Sequence, residues 1–300
     1  VYPGDDDKTR LMLMSHTDVV PVEDETKWNY EPFAAEISGG RVYGRGASDC
    51  KALLTCQLMA MVIMKRSGVR LAHGLRLVSG ADEEHGGRYG MAWLADNYPE
   101  KITAPMAINE GGGTPIKTAG TPIYLVGIGE KGRLQVEIYV KGTSAHASVP
   151  WQGQNALYGL MQVLQRIEKY QPDRDTSARL FDYLSVFAIE HKASPENIDE
   201  IIAEQRDTNL ALSSILRAIS RMTITPTMVH GGIKSNSVPE EIRLTCDVRT
   251  LPHQDEQYLQ RKLEELLFDI PGVTFEIDYM AKPNESAFDT KFVKSIKTAT

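Results

Sequence analysis

The chain has 300 residues, 42% of them hydrophobic, enough to bury a sizeable core and to suggest two domains or one domain with a large insert. Lys and Arg (33) against Asp and Glu (40) leave a net charge of -7 spread along the sequence, with no basic stripe for nucleic acid and no polybasic tract for an anionic membrane. The longest apolar stretch, Ala52 to Met64, is broken by Thr55 and Gln57 and is too short to span a bilayer; no signal peptide opens the chain; and Cys50, Cys56 and Cys246 lack CxxC spacing, which implies reduced thiols in a cytoplasmic protein.

Leu11-Met12-Leu13-Met14 reads as a strand buried on both faces. It ends in Ser15-His16-Thr17-Asp18, where Asp18 is spaced to orient the His16 imidazole. Pro21 to Gly40, with Trp28, Tyr30 and Phe33, reads as a loop that walls a pocket. Gly44 to Lys51 (GRGASDCK) is a Gly-rich turn leading into a helix over Lys51–Arg66, with Asp49 at the N-cap position, where capping alone would explain an aspartate. Its glycines are not spaced as a phosphate loop and no GK[ST] follows. The helix is apolar nearly all round, hence expected to be central, and Gly68 stops it. Cys50 and Cys56 fall in this one helix, a poor geometry for a zinc pair, so both are expected to be small buried side chains.

A strand over Leu75–Ser79 delivers GADEEHGG (Gly80–Gly87), whose adjacent Glu83 and Glu84 would repel each other without a neutralising cation. In an extended segment the two side chains point opposite ways, so one can ligate while the other reaches a water. A helix over Tyr89–Tyr98 and a short strand over Ala104–Ile108 follow, ending in NEGGG (Asn109–Gly113) and so in Glu110. Strand ends of an open α/β sheet lie along one edge, where ligands bind. His16, Glu84 and Glu110 are expected there together.

From Gly129 the pattern changes. Leu134–Val140 alternates as a half-exposed strand, and a helix over Asn155–Tyr170 follows. A polar, helical stretch at 171–220 comes next, then strands at Arg221–Val229 and Ile242–Thr250, a helix at Glu256–Phe268 and a strand at Val273–Tyr279. This β-α-β-β-α-β order is the ferredoxin-like pattern. The expected fold is therefore α/β, a mostly parallel sheet flanked by helices over residues 1–128, with an inserted α+β ferredoxin-like domain over 129–280 and the first domain resuming at 281–300.

One imidazole and three carboxylates, from His16, Asp49, Glu84 and Glu110, suit zinc, with cobalt or manganese as alternatives. Three carboxylates exceed what one catalytic zinc commonly uses; two ions about 3.5–4 Å apart, bridged by Asp49, account for the charge. Glu83 is left as general base, taking a proton from the activated water and passing it to a leaving amine.

These residues resemble the co-catalytic zinc amidohydrolases, the family of aminoacylase, acetylornithine deacetylase, succinyl-diaminopimelate desuccinylase and bacterial glutamate carboxypeptidase. The likeness lies in SHTDVVP (Ser15–Pro21), GRGASDCK, ADEEHGG, NEGGG, GTSAHASVPWQGQNA (Gly142–Ala156), GGIKSNSVP (Gly231–Pro239) and DVRTLP (Asp247–Pro252), in the family's order and over nearly the whole chain. The resemblance implies that His16 and Glu110 hold one Zn2+, Glu84 the other and Asp49 both, with Asp18 orienting His16 and Glu83 as base. It implies that His146, in a lid domain, stabilises the developing oxyanion, reaching the partner subunit's site in dimeric members. It also implies that Asn236 and Arg249 bind substrate, Arg249 through a carboxylate, and that the protein is a homodimer through its lid.

The family's last histidine ligand has no counterpart; His85 follows Glu84 but stands at a position that varies in the family. The expectation is a chain truncated at both ends. The implied activity is hydrolysis of the amide bond of an N-acyl amino acid or short peptide. The alternative is an incomplete-site relative that binds metal or ligand and dimerises without catalysis.

Overall fold

The computed structural model describes residues 1–111, 115–116, 118 and 120–299; Gly112 and Gly113 of the NEGGG motif lie outside them. Two compact units emerge, one of residues 1–112 with 290–300 and one of residues 113–289. The sequence pattern places these boundaries at 128/129 and 280/281 instead. Residues 129–130 and 284–285 pair as short antiparallel strands, which keeps both flanks with the second unit.

In the first unit, the apolar run becomes β1 (Thr9–His16). The stretch read as a loop, Pro21 to Gly40, ends in β2 (Glu36–Ser38), which pairs as a hairpin with β3 (Arg41–Tyr43) just beyond it, turned by Gly39 and Gly40 at φ 58° and 74°. Positive φ at both turn residues matches the right-handed twist of the strands. The helix, α1, starts at Leu53 rather than Lys51 and runs to Arg66. β4 (Gly74–Gly80), α2 (Met91–Asn97), α3 (Pro99–Ile102) and β5 (Met106–Ile108) follow. The sheet is parallel, in the order β4-β1-β5, so its three strand ends share one edge.

α1 corrects an expectation. Only Gln57 is buried, donating through Nε2 to the Met14 carbonyl at 2.9 Å, while Leu58, Met59 and Ile63 are 48%, 45% and 57% exposed. The helix is not central within the described residues, because the three-stranded sheet covers only one side of it. Among the described residues, Ala47–Arg66 is the one run long and apolar enough to cross a membrane. Asp49 and Cys50 leave helical geometry inside it, and the regular part is 14 residues, about 21 Å against the roughly 30 Å hydrocarbon core of a bilayer.

The second unit opens with short strands β6 (Pro115–Ile116), β7 (Ile123–Tyr124) and β8 (Gly129–Glu130). The ferredoxin-like elements follow: β9 (Gly132–Lys141), α4 (Ala156–Lys169), then α5 (Ile198–Arg206) and α6 (Leu210–Ile219) in the insert. β10 (Thr223–Gly231), β11 (Glu241–Thr250), α7 (Glu256–Leu267), β12 (Val273–Ala281) and β13 (Asn284–Glu285) complete the unit, and α8 (Lys291–Ala299) belongs to the first. The sheet is antiparallel, ordered β10-β11-β9-β12. Leu134, Val136, Ile138 and Val140 alternate inward on β9 and meet Leu160, Val163 and Ile167 of α4 and Leu259 and Leu263 of α7 in one core. The other sheet face carries the polar alternates. A second core joins Phe181, Ile198, Ile202, Leu212 and Leu216 of the insert to Ile116 of β6.

Candidate metal centre

His16 closes β1 with 2% of its surface exposed. Its Nδ1 lies 3.0 Å from the Asp18 carbonyl oxygen. A carbonyl only accepts, so Nδ1 donates and the lone pair of a neutral ring sits on Nε2. Nε2 faces three carboxylates: Asp49 Oδ1 at 3.0 Å, Glu110 Oε2 at 3.2 Å and Glu83 Oε2 at 3.9 Å. Burial disfavours the imidazolium, but the Asp49 hydrogen bond and the Glu110 charge outweigh it and raise the His16 pKa above 6.5.

Asp49 does not cap α1. It sits in an irregular turn over Ala47–Ala52 at φ -111°, ψ 105°, and the N-cap of α1 is Ala52. The extended conformation turns its carboxylate toward His16. Cys50 is buried, accepting through Sγ from the His16 backbone N–H at 3.1 Å; Cys56 is exposed, against the expectation that both are buried.

Glu83 and Glu84 lie in a 3₁₀ turn, Glu83–His85, rather than an extended segment. Successive side chains are then about 120° apart, which still separates the two carboxylates. The turn closes through Gly86 at φ 90°, a left-handed conformation that glycine adopts without strain. The Glu84 backbone N–H donates to Asp18 Oδ2 at 3.1 Å, so Asp18 braces both His16 and the glutamate turn. Burial pushes the Asp18 carboxyl up, and the Glu84 and Glu83 backbone N–H groups more than offset this, holding it below 3.8. Burial and then the Glu110 charge raise Glu83 above 4.5.

His16, Asp49, Cys50 and Glu110 each offer one donor atom, and these atoms lie within 4.8 Å of one another. The group could hold a metal ion, and its charge favours one: a single imidazole faces several carboxylates that a divalent cation would neutralise. Glu84 is not in that group. Cys50 is the member that the sequence pattern does not single out: its signal is adjacency to Asp49, and only the irregular turn at Ala47–Ala52 brings it to the site.

The remaining predicted residues lie in the second unit. Exposed His146 bonds Ser148 Oγ through Nδ1 at 2.7 Å. A backbone bridge joins His146 to Ser237, and the Ala147 N–H donates to the Asn236 carbonyl at 3.0 Å, so the His146 and Asn236 loops are paired. Arg249, on β11, forks onto Asp247 through Nε at 2.7 Å and Nη2 at 3.2 Å.

The model of peptidase family M20/M25/M40 matches residues 12–300. A "Probable succinyl-diaminopimelate desuccinylase" of Staphylococcus aureus is 27% identical over 293 residues, 96% of this chain and 66% of that protein. An uncharacterized carboxypeptidase of Schizosaccharomyces pombe is 31% identical over 250 residues, 80% of this chain and 41% of its own length. The chain thus spans two thirds or less of these relatives. Among solved structures, an M20 family metallo-carboxypeptidase from Sulfolobus solfataricus superposes with a TM-score of 0.68 at 21% identity, over 97% of this chain and 68% of that one. Human carnosine dipeptidase 1 gives 0.61 at 15% identity, over 99% and 67%. These two likenesses establish the fold.

Proposed function

The chain belongs to peptidase family M20/M25/M40, and on that premise we propose that it hydrolyses the amide bond of an N-acyl amino acid or short peptide, with zinc held by His16, Asp49, Glu84 and Glu110. The observation that carries this reading is the convergence of Asp49, Glu110 and Glu83 on His16 Nε2, within 3.9 Å. Relatives named desuccinylase and carboxypeptidase support it. Bound divalent ions supply Lewis acidity toward the amide carbonyl and acidify a water.

The protein's own share is positioning and proton transfer. His16 is fixed by Asp18 in the tautomer that offers Nε2. Glu83 accepts a proton at its carboxylate and returns it to the leaving nitrogen. His146 donates to the developing oxyanion, while Asn236 and Arg249 bind the substrate, Arg249 through a carboxylate. The first unit is then the catalytic domain and the second a lid. Two features support a homodimer through the lid: β10 is an edge strand exposed along most of its length, and α4 exposes Leu157, Tyr158 and Met161. Three free thiols suit a reducing, cytoplasmic setting.

One observation favours a second reading, an incomplete-site relative that binds without turnover: Glu84 does not join the donor group around His16. Glu83→Gln separates the two. In the hydrolase reading it keeps metal, measured by elemental analysis, and loses turnover by about two to four orders of magnitude, whereas Glu84→Ala loses metal. Undiminished turnover in Glu83→Gln removes Glu83 from the mechanism, and no turnover by the zinc-loaded full-length protein on acyl amino acids and dipeptides leaves the second reading.

A further inference from the structure

On the polar face of the second unit's sheet, one row of residues is out of electrostatic balance. Arg249 on β11 stands directly opposite Arg133 on β9, with Thr223 on β10 beyond one and Ala281 on β12 beyond the other. The row holds two guanidinium groups and no acid. Like charges facing each other across an antiparallel pair are destabilising, so an anion belongs between or above them.

The adjacent row supplies one, incompletely. Asp247 takes the fork of Arg249 at 2.7 and 3.2 Å, and its Oδ2 is 3.9 Å from Arg133 Nε, too far for a hydrogen bond. Arg133 Nε is buried and has no hydrogen-bond partner, although its side chain as a whole is 40% exposed. Asp278, on β12 in the same row as Asp247, is exposed and forms no ion pair among the described residues. A third cation, Lys131, precedes β9 and donates to the carbonyls of Ala218 and Arg221 at 2.9 and 2.7 Å, without a carboxylate. Burial, then the charges of Arg249 and Arg221, push its pKa down to about 8. Arg221 spends its own charge on Asp199 at 2.6 Å. Arg133 and Arg249 therefore share the Asp247 carboxylate, and Lys131, close enough to feel the Arg249 charge, adds a third cation with no carboxylate partner among the described residues.

We propose that Arg133, Arg249 and Lys131 form a subsite for a dianionic group, a dicarboxylate, in which Asp247 pins Arg249 and the exposed part of the Arg133 side chain supplies a second arm. The site stands on charge and geometry within one unit. Its consequence for catalysis rests on the hydrolase reading: substrates carrying two carboxylates are preferred over those carrying one. Guanidinium-carboxylate bonds are directional and charge-assisted, so the second arm discriminates rather than merely attracts.

The test is equilibrium binding of glutarate and butyrate to the metal-free protein at low ionic strength, followed by calorimetry. Glutarate is expected to bind about tenfold tighter than butyrate, the effect of one added charge-assisted hydrogen bond. Arg133→Gln, at a half-exposed position where folding is checked by circular dichroism, should bring glutarate to the butyrate level and leave butyrate unchanged. Arg243→Gln, on the same face but paired with Glu137 at 3.5 Å, should leave the preference intact. Equal affinities in the wild type, an unaltered preference in Arg133→Gln, or an equal loss in Arg243→Gln would each overturn the subsite. No turnover enters the measurement, so dicarboxylate binding without hydrolysis keeps the subsite and removes the hydrolase, and hydrolysis without the preference does the reverse.

Discussion

His16 has a proton and a cation competing for one lone pair. In the metal-free chain its Nε2 proton is held by Asp49 and Glu110, which raises its pKa despite burial. The stability this contributes is full below the ordinary imidazole value of 6.5 and is lost as pH rises through the raised folded value. A metal needs the neutral ring, so cobalt or zinc affinity should climb with pH through that same raised value and level off above it. Calorimetric titrations from about pH 5.5 to about 8.5 would measure this, with His16→Ala flattening the profile; a pH-independent affinity in the wild type would place the ion elsewhere. The sequence made His16, Asp49 and Glu110 legible because each stands at or just past a strand end or in the turn ahead of a helix, and parallel order brings strand ends to one edge. It left Cys50 and Arg133 illegible. Cys50 depends on the irregular turn at Ala47–Ala52, and Arg133 matters only through its register with Arg249, a pairing ten strand residues cannot announce by themselves.

Elements were readable where one face is buried and the other is not. β9 alternates buried and half-buried positions along nearly its whole length, and α4 repeats Ala156, Leu160, Val163 and Ile167 at helical spacing. Their periods, 2 and about 3.6, separate strand from helix without further information. The β2–β3 hairpin escaped because three-residue strands carry no period; only the Gly39-Gly40 pair marks it. α1 escaped in burial rather than in kind, since an all-apolar sequence does not say which side is covered. The start of α4 was marked by Asn155, whose side chain accepts from the Leu157 N–H at 3.0 Å. Asn155→Ala should cost about 1 kcal/mol, read from denaturant midpoints at unchanged slope. A loss below about 0.3 kcal/mol would mean that the Ala156 N–H, donating to the Pro239 carbonyl at 3.1 Å, anchors this turn without the cap.

At the scale of the whole chain, the two units differ in what stabilises them. The second encloses a continuous apolar core between its sheet, α4 and α7, with Leu134, Val136 and Ile138 at 0% exposure. The first buries few large apolar side chains, chiefly Met12, Leu13 and Leu75, and concentrates charge around buried His16. A carboxylate cluster destabilises its unit without a counter-ion and stabilises it with one, because an ion that binds only the folded state adds RT ln(1 + [L]/Kd), about 2.7 kcal/mol at a hundredfold excess over Kd. Thermal unfolding should therefore show two transitions. Zinc should move only the one belonging to the first unit, and Ile138→Ala, at a cost of about 2–5 kcal/mol, only the other. Calorimetry of the metal-free, zinc-loaded and Ile138→Ala proteins decides it. A single transition displaced by both treatments would mean that the units unfold as one cooperative body, and the division of labour between a charged unit completed by metal and an apolar unit complete in itself would fall.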